Sequence, residues 1–414
     1  MYRANKAQEG ETNACSPPNT LVEEQHSSRL SPDGLQLQLD DTLLALERLR
    51  PEWEALEQDS KSTPDFFQSY AWCYYVAAMR LRRATSDYRI CVATIRQADD
   101  RLIGLWPLSI QRQGFCQIAR NLDAPFGQFA GLLLHDPQHA SICIKTVVDS
   151  LKLSGKIDGL QIGGVRETSA LSDALHALGA RVTRSDLAVD LDFRPFASFD
   201  DYHRTVAVKT RKNLRNAKNR LSREYEDISH QVIADVGPES PLIANTFDDR
   251  LTWMELGGKT TPAFRDPDFR PLLEGLPKAD PPLQLLGFEF KTKSDIISAQ
   301  WGFRHKNRYY AYMSARNLDF DRFSPGQVHL GMVIKASHDL NIEVIEMMAP
   351  ASDYKLKWTK ATKRLDDVSL TLTPKGFLYL NLWRGNFRKL FKWVFEHIPD
   401  RARQAAASWT NRNR

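Results

Sequence analysis

The stretch that decides the fold is "NLDFDRFSPGQVHLGMVIKASHDLNIEVIEM", Asn317 to Met347. At its centre Ser324, Pro325 and Gly326 stand between an aromatic, strand-like run and a long apolar segment. Serine and then proline ahead of a periodic run read as an N-cap and a first helical residue, because the N–H that proline lacks is one that the first turn leaves unpartnered. The apolar run alone is ambiguous, since Val328, Leu330, Met332 and Ile334 alternate as a strand would. The cap, the length to Leu340 and a strand candidate on each side decide for a helix, with "IEVIEMM" as the strand after it. A helix that opens on a bare turn can be a capped loop, or it can hold an anion against its free amides.

The surroundings are those of a globular protein. The chain has 414 residues, 42% of them hydrophobic and 26% charged, enough for a sizeable core and for about two or three domains. No apolar run approaches the roughly eighteen residues of a membrane span, and the first residues show no apolar signal region, so a cytoplasmic protein is expected. The five cysteines form no C-x-x-C pair, which argues for reduced, buried thiols rather than a disulfide framework or a thiolate metal site. The histidines show no metal-ligand spacing, and no metal is expected. The net charge of +5 is uneven: residues 384–414 carry +6, leaving −1 for the rest. A near-neutral body lacks the electrostatic footprint of a nucleic-acid binder, and no nucleic acid is expected.

Along the chain, residues 1–35 read as a disordered polar leader. "LQLQLDD" alternates as a strand, and a helix with Leu44, Leu49, Trp53 and Leu56 on one spacing follows, broken near Pro51. A helix capped by Ser62 or Thr63 precedes three strands, "YRICVATIR", "RLIGLWPLSIQR" and "GFCQIARNL". Helix, strand and helix then lead to the strand "RVTRSDLAVDLDF". The second half is built in a similar way. It has a basic helix "VKTRKNLRNAKNRL", a strand and a helix, then "PPLQLLGFEFK", "DIISAQWGFRHKN" and "RYYAYMSARN" as three antiparallel strands. The opening stretch, a short helix in "SDYKLKWTKATKR" and a last strand "LDDVSLTLTP" complete it. Walker, dinucleotide-binding, nucleophile-elbow and H-E-x-x-H motifs are absent.

A strand trio followed by "SPGQVHLGMVIKASHDLNIEVIEMMAPASDYKLKW" resembles the GNAT-type acyltransferases of the BioF2-like or CelD-like group, the latter linked to cellulose biosynthesis and related to tandem FemAB-like proteins. The shared pieces are Ser324, Pro325, Gly326, Tyr354, Lys355, Trp358 and the basic helix, over roughly residues 38–375. In place of the family's glycine before Tyr-Lys stand Ala and Pro of "EMMAPASDYK", which bears on the acceptor side. The resemblance implies an α/β (α+β) fold of tandem GNAT-like domains, each a mixed, mostly antiparallel sheet flanked by helices. An N-terminal domain over 36–200 would lack a cofactor. A C-terminal domain over 201–380 would bind acetyl-CoA or a longer acyl-CoA, and 381–414 would be a basic amphipathic tail.

It also implies roles. The CoA pyrophosphate would lie on Ser324, Pro325, Gly326, Gln327 and Val328, with charge from Arg316 and Arg322. The pantetheine arm would run along Tyr312, Met313 and Ser314. Tyr354 would protonate the leaving thiolate, the other reading being a core tyrosine with a satisfied hydroxyl. Glu289 is a candidate base, although alternation with Phe288 and Phe290 also suits a solvated position. His305 reads as an exposed hairpin tip. Lys355, Trp358, Arg211 and Arg215 would face a small-molecule or saccharide acceptor; Lys355 either pairs with an anionic acceptor or snorkels, and the basic helix is either a groove wall for such an acceptor or a solvated face. Residues 383–398 read either as a peripheral membrane helix at the inner face of a membrane or as a helix docked on the body. The expected activity is N- or O-acyl transfer to a cell-envelope or exopolysaccharide-related acceptor. The alternatives are a FemAB-like aminoacyl transferase and a non-catalytic GNAT-fold recruiting protein of polysaccharide biosynthesis.

Overall fold

The computed structural model describes residues 29–30, 34–59, 66–82, 87–258 and 260–381. The first half opens with β1 (Arg29–Leu30) and β2 (Gln36–Asp40), then α1 (Leu43–Asp59) and α2 (Tyr70–Arg82). β1 lies within the segment read as a disordered leader. β3 (Tyr88–Arg96), β4 (Leu102–Gln113) and β5 (Cys116–Asn121) form an antiparallel meander, with β6 (Leu133–Leu134) on the edge of β4. α3 (Ala140–Leu153) carries the chain to β7 (Gly159–Arg166), parallel to β5, and α4 (Ala170–Ala177) leads into β8 (Arg181–Asp192).

The second half starts with α5 (Phe199–Thr205), α6 (Val208–Glu224), β9 (Ser229–Ile233), α7 (Leu242–Leu256), α8 (Pro262–Arg265) and α9 (Phe269–Gly275). β10 (Leu285–Lys291), β11 (Ile296–His305) and β12 (Arg308–Arg316) are the second antiparallel meander. α10 (Pro325–Asp339) crosses to β13 (Val344–Glu346), parallel to β12, before α11 (Asp353–Leu356), β14 (Thr362–Thr371) and α12 (Pro374–Phe377). The two halves thus repeat one scheme: a meander, a crossover helix and a parallel strand.

The strands join in one mixed sheet in the order β1-β2-β3-β4-β5-β7-β14-β8-β13-β12-β11-β10-β9. Its centre is an exchange. β8, from the first half, supplies the antiparallel partner of β13, and β14, from the end of the second half, supplies that of β7. The two exchanged strands also pair with each other, from Thr362↔Val189 to Ser369↔Arg181.

Helices cover both faces. On one, α1, α2, α7 and α9 enclose a core drawn from both halves, where Phe66 stacks on Phe303 at 4.1 Å and Tyr75 Oη donates to the Leu272 carbonyl at 2.5 Å. On the other, Leu330, Val333 and Ile334 of α10 pack on Phe288 and Tyr309. Ala217 and Leu221 of α6 join Phe290, Phe320 and Val328.

Four readings are corrected. Pro51 does not break α1; it is exposed, as is Glu47, whose carbonyl it leaves without an N–H partner in the helix. The buried stripe of that helix is Leu46, Leu49, Trp53 and Leu56, with Leu44 exposed. His305 is not an exposed tip: its ring packs on Phe66 with Nε2 3.3 Å from Glu57 Oε1, and burial lowers its pKa to about 4. Glu289 is buried, because β10 is covered on both faces. The caps read at Ser62 and Thr63, and the tail helix over 383–398, lie outside the described residues. Cys73, Cys91, Cys116 and Cys143 are buried free thiols.

Candidate functional site

The parallel pairing of β12 with β13 covers only Arg308–Tyr310 against Val344–Glu346. Beyond it β12 stays on β11 as far as Arg316, while the other strand turns away. Met347 N–H donates to the Val189 carbonyl of β8 at 2.8 Å, and the buried Lys355 ammonium donates to the carbonyls of Met348 and Pro350, both at 3.0 Å. The result is a V-shaped cleft along residues 311–316 of β12. Asn317 N–H donates to Ile297 on the β11 side, so by alternation the amides of Ser314 and Arg316 point into the cleft.

α10 opens beside it. The six-residue turn Leu318–Phe323 ends at Ser324, which adopts the left-handed conformation at φ 53° and serves as hinge into the helix. This corrects the cap: the Ser324 side chain makes no capping bond, and its carbonyl instead accepts from the amides of Gln327 and Val328 at 3.0 and 3.3 Å. Ser324 N–H donates to the Asp321 carbonyl, Pro325 has no N–H, and the Gly326 amide makes no hydrogen bond within the described residues. One free amide therefore carries the exposed end of the helix dipole. A Cβ at residue 326 would meet only Arg316 Cδ, at 3.7 Å, an ordinary contact. α6 runs past this end with Lys209, Lys212, Arg215, Lys218, Arg220 and Arg223 exposed.

Tyr354 lies in α11 with 38% of its surface exposed. Desolvation raises its pKa, against the pull of the Ser352 hydrogen bond and of Arg250 and Arg316, so the hydroxyl is a proton donor at neutral pH. Lys355 is buried, and desolvation, reinforced by Arg250, brings it down to about 8. Glu289 faces Ala299 across β10–β11, and Ala299 faces Ala315 across β11–β12. The three share one line over the sheet, so Glu289 stands two strands from the cleft edge, about 10 Å, behind two small side chains. Lys291 Nζ is 3.5 Å from its carboxylate.

Of the residues singled out in the sequence, Ser314, Arg316, Ser324, Gly326 and Tyr354 border the cleft and the helix start. Arg316 holds Asp321 through Nε at 2.6 Å, and Arg322 pairs with Glu224 on the α6 side. Gln327 accepts from Lys357 at 2.8 Å, and Val328 and Met313 are buried. Tyr312 Oη donates to the Phe126 carbonyl of the first half at 2.9 Å. Trp358 is buried against Gly331 of α10, and Arg211 Nε donates to the Val206 carbonyl, so both hold the fold locally. Arg215 stays exposed on α6. Sequence reading missed Arg250 and Trp253 of α7. Their i, i+3 spacing, which lets a cation lie over a ring, was the only signal they carried.

The matching place in the first half is filled. β5 and β7 pair in parallel over Ile118–Arg120 and Gly159–Gln161 and then separate. There the chain's own loop enters: Ala130 bridges to Val165 and donates its N–H to the Gly164 carbonyl at 3.0 Å, while Asn121 Nδ2 donates to the Gly163 carbonyl at 2.8 Å.

Residues 208–356 match a family model described as Acetyltransferase (GNAT) domain. The match opens on the first residue of α6 and closes on the last of α11. This part of the chain has the GNAT fold. The structure of FemX is similar over 80% of this chain and 98% of its own, with 11% identity and a TM-score of 0.56, a likeness of fold. A conserved protein of unknown function from Bacteroides thetaiotaomicron VPI-5482 covers 81% and 99% with 13% identity and a TM-score of 0.48. A tandem GNAT protein from the clavulanic acid biosynthesis pathway covers 82% and 99% with 11% identity and a TM-score of 0.46. No curated protein matches the chain. A GNAT domain implies an acyl-CoA co-substrate. Among the described residues no cluster of metal-binding side chains occurs, and no helix is long and apolar enough to cross a membrane.

Proposed function

We propose that the protein transfers an acyl group from acyl-CoA to an amine or hydroxyl of a cell-envelope or polysaccharide-related acceptor. The observation that carries this reading is the open cleft between β12 and β13 with the start of α10 at its mouth. Ser314 and Arg316 offer amides along which an extended pantetheine chain pairs as an added strand would. The Gly326 amide, the α10 dipole and the basic side of α6 supply positive potential for its phosphates. For an amine acceptor, the nitrogen attacks the thioester carbonyl, a C–N bond forms and the C–S bond breaks. Tyr354 Oη gives its proton to the departing thiolate. Glu289, through water over Ala299 and Ala315, takes the proton that the amine loses. With the first-half cleft filled by its own chain, the second half is the one that binds CoA. The acceptor class follows the resemblance read in the sequence.

Calorimetric titration with CoA and acetyl-CoA tests the reading. Binding is expected, and Gly326→Asp, whose Cβ has room but whose carboxylate sets a negative charge at the helix start, should weaken it about tenfold or more. Absence of heat with both ligands would overturn the proposal. In a thiol-release assay with amino-sugar acceptors, Tyr354→Phe should lower kcat by roughly 100-fold; full turnover by this variant removes Tyr354 as the acid. A second reading, FemAB-like aminoacyl transfer, rests on the fold shared with FemX, and CoA binding separates the two.

A further inference from the structure

Arg250 lies in α7, which packs along β12, the strand that borders the cleft. Its guanidinium lies over the Trp253 ring at 4.6 Å, and Arg316 lies over the same ring at 5.8 Å. Tyr354 is close enough for both arginines to pull its pKa down against the larger effect of desolvation. The two cations are not equivalent. Arg316 is held by Asp321 through two nitrogens, at 2.6 and 3.3 Å. Arg250, partly buried, has no carboxylate and no hydrogen-bond acceptor among the described residues, only the face of an indole. Other arginines at comparable depth are paired: Arg80 with Asp266 and Asp268, and Arg308 with Glu346. Partial desolvation of a guanidinium without a counter-charge is unfavourable, and a bound anion relieves it.

The position selects which anion. α10, with the free amide that suits CoA phosphates, packs on one face of the sheet, and α7 packs on the other. Arg250 therefore approaches the cleft from the side opposite α10, with Tyr354 beside it. We propose that Arg250, backed by Trp253, binds a carboxylate or phosphate of the acceptor and so fixes an anionic acceptor for the transfer. This rests on the acyltransferase reading above. The planar fork of the guanidinium suits either group bidentately, and the indole keeps its plane fixed.

Arginine-selective labelling with p-hydroxyphenylglyoxal, read by peptide mass spectrometry, tests this on the full chain. Arg250 should label faster than Arg80 or Arg316, and saturating CoA should leave that rate within about twofold. With CoA present, D-glucosaminic acid (carboxylate) or glucosamine 6-phosphate (phosphate) should protect Arg250, and neutral glucosamine should not. Which of the two protects identifies the group. Protection by CoA alone makes Arg250 a cofactor contact and overturns the proposal, as does the absence of protection by both anions. If the protein binds no CoA, the acyltransferase reading fails while protection by the anions still reports the anion site. In turnover, Arg250→Gln should lower the preference in kcat/KM for the protecting amino sugar over glucosamine by about ten- to a hundredfold, the loss of a charge-assisted hydrogen bond, with Arg250→Lys recovering part of it. An unchanged preference in Arg250→Gln contradicts the assignment.

Discussion

Asp123 is buried under α2, with Oδ2 accepting from Trp72 Nε1 at 2.7 Å, and desolvation raises its pKa from 3.8 to about 7. Its proton is held in the folded state and lost in the unfolded chain over that interval, so this group makes stability fall as pH rises from about 4 to 7. The buried histidines act in the opposite sense. Burial lowers His329 to about 3 and His305 to about 4, so the unfolded chain takes up protons first as pH falls below 6.5, and stability falls with it. Asp123→Asn removes only the carboxyl contribution. In urea unfolding between pH 4.5 and 7.5, the stability of the variant relative to wild type should rise with pH, by up to about 1.4 kcal/mol per pH unit. A difference that stays flat would mean that Asp123 is ionised in the fold. The depth of Glu289 and His305 had no signature in the sequence. Alternation places Glu289 on one face of β10 but does not reveal that α7 covers that face. His305 ends a hairpin strand, yet α1, some 250 residues earlier, lies over it.

At the scale of elements, one scheme gives an open cleft in the second half and a filled one in the first, and the difference lies in the segment after the third meander strand. After β12 the chain folds into a short turn and enters α10 directly, leaving the strand edge free. After β5 it loops through Pro125, Phe126 and Phe129 and returns through Ala130 to β7. Gly164 makes room for that return: it has φ 75°, and a Cβ there would lie 2.3 Å from the Gln128 carbonyl oxygen. Gly164→Ala should destabilise the protein by about 2–4 kcal/mol, through left-handed backbone and overpacking together. Gly179, at φ 85° after α4, has nothing within 4 Å of such a Cβ, so Gly179→Ala should show the backbone cost alone, about 1 kcal/mol. Equal losses in thermal unfolding would mean that the loop is not packed against Gly164. The meanders and α10 were legible because periodicity and turn residues are local signals. The filling loop was not, since a polar-aromatic segment rich in Gly and Pro reads the same whether it lies on the surface or in a cleft.

Across the whole molecule, the exchange of β8 and β14 ties the halves together. The expectation of consecutive units over 36–200 and 201–380 follows the order of elements along the chain, and order does not reveal that the last strand of each half pairs with the other. Both strands read correctly as strands; their partners, Thr362–Thr371 on Gly159–Arg166 and Asp190–Asp192 on Val344–Glu346, are set by long-range packing alone. The shared core reinforces the tie, with Phe66 N–H donating to Tyr310 Oη at 3.3 Å and Arg80 held by Asp266 and Asp268. A chain divided between Phe196 and Ala197 gives a first fragment whose β7 and β8 each lack β14, and a second in which β13 lacks β8 and β14 has no sheet to join. Each fragment would expose unpaired strand edges and half of an aromatic core. Neither should fold alone, whereas co-expressed they should co-purify as a one-to-one complex with a single cooperative melting transition. A cooperative transition in either fragment by itself, near that of the intact chain, would show that the exchanged strands are dispensable and that the two halves are independent domains.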